Sequence, residues 1–152
     1  MSELTQLYQE SILDHHRRPR NPGCLPDATH SSEGHNPLCG DRVTITARVA
    51  DARVLGVCCE ARGCALCRAS GSMLTEAVLG LTLSEVSDLA ARFCAAVGAP
   101  GARTPATSVE PSDSEQARLG PLLALAEVRN FPSRIRCATL SWDVLRAALG
   151  IG

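Results

Sequence analysis

The sequence predicts an α+β fold in which helices pack on one face of a small three-stranded antiparallel sheet. Alternating β-branched residues between positions 43 and 59 predict a hairpin, and most of the remaining chain has apolar residues at helical spacing. The order of these elements, one helix, then strands, then several helices, is typical of α+β domains. A chain of 152 residues is large enough to bury a core without disulfides, so we expect one domain spanning residues 1–152.

An amphipathic helix is predicted at the start of the chain and ends before Pro19. Its apolar residues recur at helical spacing: Leu4, Leu7, Tyr8 and Ile12. The basic cluster His15–Arg20 then closes the helix, where the macrodipole favours positive charge. A docking patch for a partner protein is the alternative reading of this cluster.

The predicted sheet follows a polar segment rich in Pro, Gly and Ser. Within that segment we expect a short edge strand at residues 28–33. The hairpin proper consists of residues 43–49 and 54–59, joined by a turn at Asp51 and Ala52. These three strands complete the predicted sheet.

Helices dominate the second half of the predicted fold. A capping box of Thr82 and Glu85 marks one helix start, and Gly80 ends the helix before it. Residues 98–117 carry several Pro, Gly, Ser and Thr with few large apolar side chains, so we expect a flexible loop. The helices are expected at residues 64–79, 82–97 and 137–150, with a short Leu-rich segment at 119–128.

Composition excludes several classes of function. The net charge is −1 and aromatic residues make up 3% of the chain, which argues against a nucleic-acid-binding surface. No signal peptide and no membrane-spanning apolar stretch is recognisable, so we expect a cytoplasmic protein that does not enter membranes. In that reducing compartment the eight cysteines are expected to serve as metal ligands or nucleophiles rather than disulfides.

Three cysteines and one aspartate form a candidate metal site. Cys39 and Asp41 lie two residues apart in a turn between strands, and Cys64 and Cys137 are expected at helix N-termini, where the dipole favours a thiolate. Such donors suit zinc or an iron–sulfur cluster. His30 or His35 could take the place of Asp41.

The remaining cysteines have simpler expected roles. Cys58 and Cys59 alternate along a strand, so one should face the core, and Cys94 is expected to pack in an apolar helix. Cys67 forms a CxxC pair with Cys64 but lacks a thioredoxin-like βαβ context. Cys24 lies in the polar segment with no evident partner.

Three blocks of the sequence resemble the signature blocks of the IscU/NifU-like superfamily. They are residues 36–41 (NPLCGD), residues 63–73 (GCALCRASGSM) and residues 131–142 (FPSRIRCATLSW). Within that superfamily the chain is similar to the SufU branch, since Arg136 stands where IscU-type scaffolds carry His. Arg134 and an apparent insertion at residues 98–130 are also similar to SufU-like proteins.

The resemblance implies a function. It implies a zinc site of Cys39, Asp41, Cys64 and Cys137 in a protein that accepts persulfide sulfur from a SufS-type cysteine desulfurase. The thiolate of Cys39 would be the acceptor, and Arg134 would stabilise negative charge near Cys137. The sulfur would pass to downstream iron–sulfur cluster assembly proteins.

Two alternatives remain open at this stage. The same four residues could hold a transient [2Fe–2S] cluster, which would make the protein an IscU-type scaffold. A non-catalytic, zinc-stabilised adaptor that docks through its basic first helix is the second alternative. Metal content separates the scaffold from the other two, and persulfide uptake separates the sulfurtransferase from the adaptor.

Overall fold

The structure, a computed structural model, describes residues 10–37, 40–100 and 113–151. In chain order the elements are helix α1 (Glu10–Arg17), strands β1 (His30–Asn36), β2 (Asp41–Ala50) and β3 (Arg53–Arg62), helices α2 (Ala65–Val78), α3 (Leu83–Ala96) and α4 (Asp113–Leu122), a 3-10 helix (Leu123–Asn130) and helix α5 (Pro132–Leu149). The three strands form one antiparallel sheet in the order β1-β2-β3. The predicted α+β class and its sheet are confirmed.

The β2–β3 hairpin turns at the predicted dipeptide. Asp51 and Ala52 both have positive φ, 53° and 58°, between the paired residues Ala50 and Arg53. Two successive positive φ values are typical of the two-residue turn that matches the twist of hairpin strands. A register shift between Arg48 and Val49 then adds one residue to β3, so that Arg48 pairs with Gly56 and Ile45 pairs with Cys59.

The helices cover one face of the sheet, and the core lies between them. Val43, Ile45 and Ala47 point from β2 into this core and are fully buried. Helix α5 packs closely on β1, because a Cβ on Gly34 would lie 2.6 Å from Cγ2 of Val144. We call the opposite face of the sheet, on which Cys58 lies, the outer face.

Helix α3 completes the core behind α5. The ring of Phe93 stacks on Trp142 with centroids 5.0 Å apart, and both residues are fully buried. Trp142 is therefore a core residue. The predicted capping box at the start of α3 is also confirmed, with both hydrogen bonds between Thr82 and Glu85 present.

Helix boundaries near the C-terminal block differ from those predicted. The last helix begins at Pro132 rather than at Cys137, since proline is well tolerated in the first turn of a helix, where its missing N–H has no intrahelical acceptor.

Strand β1 extends from 30 to 36 rather than from 28 to 33, so it reaches the turn before Asp41. Residues 113–117, expected in a loop, belong to α4, whereas residues 101–112 lie outside the described residues.

Candidate metal centre

The structure brings together Asp41, Cys64 and Cys137 from three elements. Asp41 is the first residue of β2, Cys64 is the N-cap of α2, and Cys137 lies in the second turn of α5. One ligand atom from each, the two Sγ atoms and a carboxylate oxygen, lie within 4.8 Å of one another. Asp41 and Cys137 are buried, whereas Cys64 is half-buried. The cluster therefore has an inner side and a side near solvent.

A backbone hydrogen bond fixes Asp41 against the start of α2. The N–H of Cys64 donates to Oδ1 of Asp41 at 3.1 Å. This contact is possible because residue 63 is glycine: it has φ +149°, and a Cβ there would collide with the Asp41 carboxylate. The sequence shows the glycine before Cys64 but not its role, because that role depends on a carboxylate 22 positions away.

Two buried serines hold α2 and α5 together beside the cluster. The Ser70 hydroxyl donates to the carbonyl of Ala138 at 2.6 Å and lies 3.2 Å from the Ser141 hydroxyl. Ala138 directly follows Cys137, so this contact sets the position of Cys137 relative to Cys64. Ser70 belongs to the second sequence block and Ser141 to the third. These two side chains position the helices that carry Cys64 and Cys137.

The hydrogen bond between the thiols of Cys64 and Cys137 shifts their pKa values in opposite directions. The hydrogen bond from Cys137 lowers the pKa of Cys64 to about 6, and the backbone N–H groups of Cys67 and Leu66 at the start of α2 act in the same direction, against burial and the Asp41 charge. The pKa of Cys137 is raised, first by its hydrogen bond to Cys64 and also by burial and by Asp41. The hydrogen bond thus favours the thiolate form of Cys64 and the protonated form of Cys137, which donates to it.

The donor set fits a zinc ion. Two sulfurs and a carboxylate oxygen are ligands that zinc accepts, with Zn–S bonds of about 2.3 Å and Zn–O bonds of about 2.0–2.2 Å in tetrahedral sites. Donor atoms within 4.8 Å of one another can surround a single ion at those lengths after small side-chain movements. Three protein donors leave one tetrahedral position to be filled.

Cys39, the fourth expected ligand and the expected sulfur acceptor, lies outside the described residues. Gly40, the residue that follows it, is described: it has φ +76° and donates its N–H to the carbonyl of Asn36 at 2.9 Å. Asn36 pairs with Asp41 at the end of the β1–β2 ladder. A role for Cys39 therefore stays a prediction.

The two arginines of the third block lie on different sides of α5. Arg134 is half-buried and precedes Cys137 by three residues, so the two occupy neighbouring positions on one face of the helix. Arg136 is exposed, and its Nη1 lies 3.7 Å from Oδ2 of Asp143. Arg136 thus contacts a carboxylate of its own helix, and the catalytic role expected for Arg134 remains a prediction.

The other cysteines and the loop histidines do not join this cluster in the described part of the chain. Cys59 faces the core and Cys58 the outer face, as the alternation predicts, and Cys94 is buried. His35 is exposed. Asp41, and not a histidine, is thus the non-thiol donor beside Cys64 and Cys137. Because α5 begins at Pro132, the expected helix-dipole contribution at Cys137 is wrong, whereas that at Cys64 agrees with its N-cap position.

Comparison with known proteins agrees with the three blocks. Residues 7–117 match the family model of the NifU-like N terminal domain. The chain is 34% identical over 98% of its length to an iron-sulfur cluster assembly scaffold protein IscU of Streptococcus pyogenes serotype M1, covering 86% of that protein. It is 35% identical over 95% of its length to the zinc-dependent sulfurtransferase SufU of Bacillus subtilis, covering 90% of it.

A solved structure shows the same fold. The putative iron-sulfur cluster assembly scaffold protein for the SUF system from Fervidobacterium islandicum AW-1 superposes with a TM-score of 0.75 at 27% identity, over 95% of this chain and 98% of that one. No helix in the described part of this chain is long and apolar enough to cross a membrane. The chain therefore belongs to the family of the NifU-like N-terminal domain, which includes the IscU and SufU proteins.

Proposed function

We propose that this chain acts in iron–sulfur cluster assembly as a zinc-dependent acceptor of persulfide sulfur from a SufS-type cysteine desulfurase. The observation that carries the proposal is the convergence of Asp41, Cys64 and Cys137, whose ligand atoms lie within 4.8 Å of one another. The name of the Bacillus subtilis relative, a zinc-dependent sulfurtransferase, supports the same reading.

Zinc would be held by Asp41, Cys64 and Cys137, with Cys39 as the fourth ligand. Bound there, the ion would keep its thiol ligands deprotonated and restrain their nucleophilicity. Asp41 suits this role because the Cys64 N–H already orients its carboxylate. The hydrogen bonds around the ligands hold them in place before any metal binds.

Sulfur transfer would proceed at Cys39 by thiol–persulfide exchange. Once displaced from the metal, the Cys39 thiolate would attack the terminal sulfur of the persulfide on the desulfurase cysteine; a new S–S bond forms and the old S–S bond breaks. The desulfurase cysteine leaves as a thiolate, and Cys39 carries the persulfide. Arg134, on the Cys137 face of α5, would stabilise negative charge beside the site.

A cluster scaffold is the second candidate, because the thiolates and carboxylate of this site could also hold a [2Fe–2S] unit as cargo. Its support is the name of the Streptococcus pyogenes relative. Arg136 argues against a scaffold, because IscU-type scaffolds carry His at the position before Cys137. Its guanidinium lies near Asp143. Zinc analysis after aerobic purification and the absorption spectrum after anaerobic reconstitution distinguish the two.

The deciding experiment measures persulfide on each cysteine. Zinc-loaded protein is incubated with a SufS-type desulfurase and cysteine, alkylated, and mapped by mass spectrometry. We expect the additional sulfur on Cys39, its loss in Cys39→Ser, and no change in Cys24→Ser, which removes an exposed thiol outside the cluster. Persulfide that persists in Cys39→Ser, or that falls only on Cys64 or Cys67, would contradict this assignment.

A further inference from the structure

The segment between α1 and β1 crosses the outer face of the sheet. At one end Pro22 pairs with Cys59 along the free edge of β3, and the N–H of Cys59 donates to the carbonyl of Asn21 at 3.0 Å. At the other end the N–H of Thr29 donates to the carbonyl of Ala47 in β2 at 2.9 Å. Residues 22–29, which we call the strap, therefore pass over β3 to reach β1 beyond β2.

Contacts in the middle of the strap show which face it covers. The N–H of Leu25 donates to Oγ1 of Thr46 at 2.8 Å, and Thr46 is the register partner of Cys58. A Cβ on Gly56 would lie 3.2 Å from Cδ2 of Leu25. Thr46 lies between Ile45 and Ala47, whose side chains point into the core, so the Thr46 side chain and these contacts lie on the outer face.

Cys24 is held above Cys58 by these contacts. The Sγ of Cys24 lies 3.9 Å from Oε2 of Glu60, and the next strap residue, Leu25, contacts Gly56. Cys58 lies between Gly56 and Glu60 on β3 and points to the same face, because residues two apart on a strand share a face. The strap thus places one thiol against the strand position that carries the other.

Both thiols are free, and they differ in exposure. Cys24 is exposed and Cys58 is half-buried, and neither belongs to the cluster of Asp41, Cys64 and Cys137. Burial raises the pKa of Cys58, and the nearby Cys24 raises it further.

We propose that Cys24 and Cys58 form a redox-active thiol pair that a hydroperoxide converts to a disulfide tying the strap to β3. The Cys24 thiolate attacks a peroxide oxygen, the O–O bond breaks, and a sulfenic acid forms with release of water or an alcohol. The Cys58 thiolate then attacks the sulfenic sulfur, an S–S bond forms, the S–O bond breaks, and water leaves after protonation. Two thiols are oxidised and one peroxide is reduced.

The disulfide would close a long chain loop. It would join the strap to a strand 34 positions further along the chain, and closure of a loop of that length is expected to raise the melting temperature by roughly 10 °C in a domain of this size. Because Cys24 and Cys58 are not among the proposed zinc ligands, zinc content should be the same before and after oxidation. The pair thus predicts a stability change without a change in metal content.

The test uses zinc-loaded full-length protein and one equivalent of hydrogen peroxide. Free thiols are blocked, and the protein is digested with trypsin and Glu-C; Glu-C cuts after Glu33, between Cys24 and Cys39. Non-reducing mass spectrometry should find the Cys24–Cys58 linked peptides, 2 Da lighter than the two reduced peptides together. The linkage and the rise in melting temperature should vanish on reduction.

Matched variants separate this pair from its neighbours. Cys24→Ser and Cys58→Ser should each lose the linkage and the rise in melting temperature. Cys59→Ala, one position along β3 but facing the core, should retain both. Linkage of Cys24 to Cys39, to Cys64 or to a second copy of the chain would overturn the proposal. So would a Cys24 that oxidises to sulfinic acid while Cys58 remains a free thiol.

Discussion

Gly63 leaves free the space that the carboxylate of Asp41 occupies. A Cβ at position 63 would collide with Oδ1 of Asp41, and φ +149° is unfavourable for any side chain. Gly63→Ala is therefore expected to displace the carboxylate and to lower the zinc content of the purified protein by more than half, measured by elemental analysis. Gly120→Ala is the control, since a Cβ there meets nothing within 4 Å. Full zinc content in Gly63→Ala would contradict the importance of this contact.

Removal of zinc should destabilise the fold. A ligand that binds only the folded state stabilises it by about 2.7 kcal/mol when its free concentration is about 100 times its Kd. For a chain of this size we expect chelation to lower the melting temperature by roughly 5–10 °C, measured by calorimetry. Cys64→Ser should show a much smaller effect of chelator, whereas Cys94→Ala, which alters a thiol outside the cluster, should respond like the unmodified protein. Equal responses of both variants would argue against the proposed ligands.

Protonation of His15 should weaken the contact between α1 and α2. Its Nδ1 lies 2.7 Å from Oγ of Ser72, which also accepts the N–H of Arg20, so the serine hydroxyl is free to donate to His15. Burial lowers the pKa of His15 and the Arg20 charge lowers it further, against the opposing charges of Glu76 and Asp14.

Because the folded-state pKa lies below the unfolded value of 6.5, the unfolded chain takes up more protons as the pH falls. The free energy of unfolding should therefore decrease from about pH 6.5 downward. In His15→Asn, whose amide oxygen can replace Nδ1 as acceptor, this part of the pH dependence should be absent. Urea denaturation at several pH values measures it, and the exposed His35→Asn serves as control. An unchanged profile in His15→Asn would refute the assignment.

The capping box of α3 should contribute to the stability of the fold and have no effect on zinc binding. Thr82 accepts the N–H of Glu85 at 3.2 Å, and the carboxylate of Glu85 accepts the N–H of Thr82 at 2.9 Å. Thr82→Ala should lower the free energy of unfolding by about 1 kcal/mol, measured by urea denaturation, with unchanged zinc content. Ser84→Ala, at an exposed position of the same turn, should change it much less. An equal loss in both variants would mean that the cap contributes nothing specific.

The hairpin and the capping box could be predicted because their signals are local. Alternation of β-branched residues identifies β2 and β3, and Thr82 with Glu85 marks a helix start within four residues. The predicted start of α5 is wrong because a proline such as Pro132 is typical both of a break in the chain and of the first turn of a helix. Only packing decides between the two. Local rules therefore work where a single element contains its own signal.

Convergence at the metal centre was an expectation from the sequence, and packing is what produces it. Cys64 and Cys137 lie 73 positions apart in the chain. The hydrogen bond from Ser70 to Ala138 aligns their helices, and no pattern in the sequence predicts that bond. Family resemblance supplied the ligand set, but it gave neither the role of Gly63 nor the strap above Cys58. Those depend on approaches between side chains and backbone that only a folded chain defines.

The cluster joins a strand to two helices, so an ion bound there would act as a three-way cross-link. Asp41, Cys64 and Cys137 belong to β2, α2 and α5, and one ion would close two chain loops at once. Metal clips that close long loops restrict the unfolded chain in the same way as disulfides do. Release of zinc would then free the start of the central strand and both helices together, so metal loading would determine the rigidity of the whole domain.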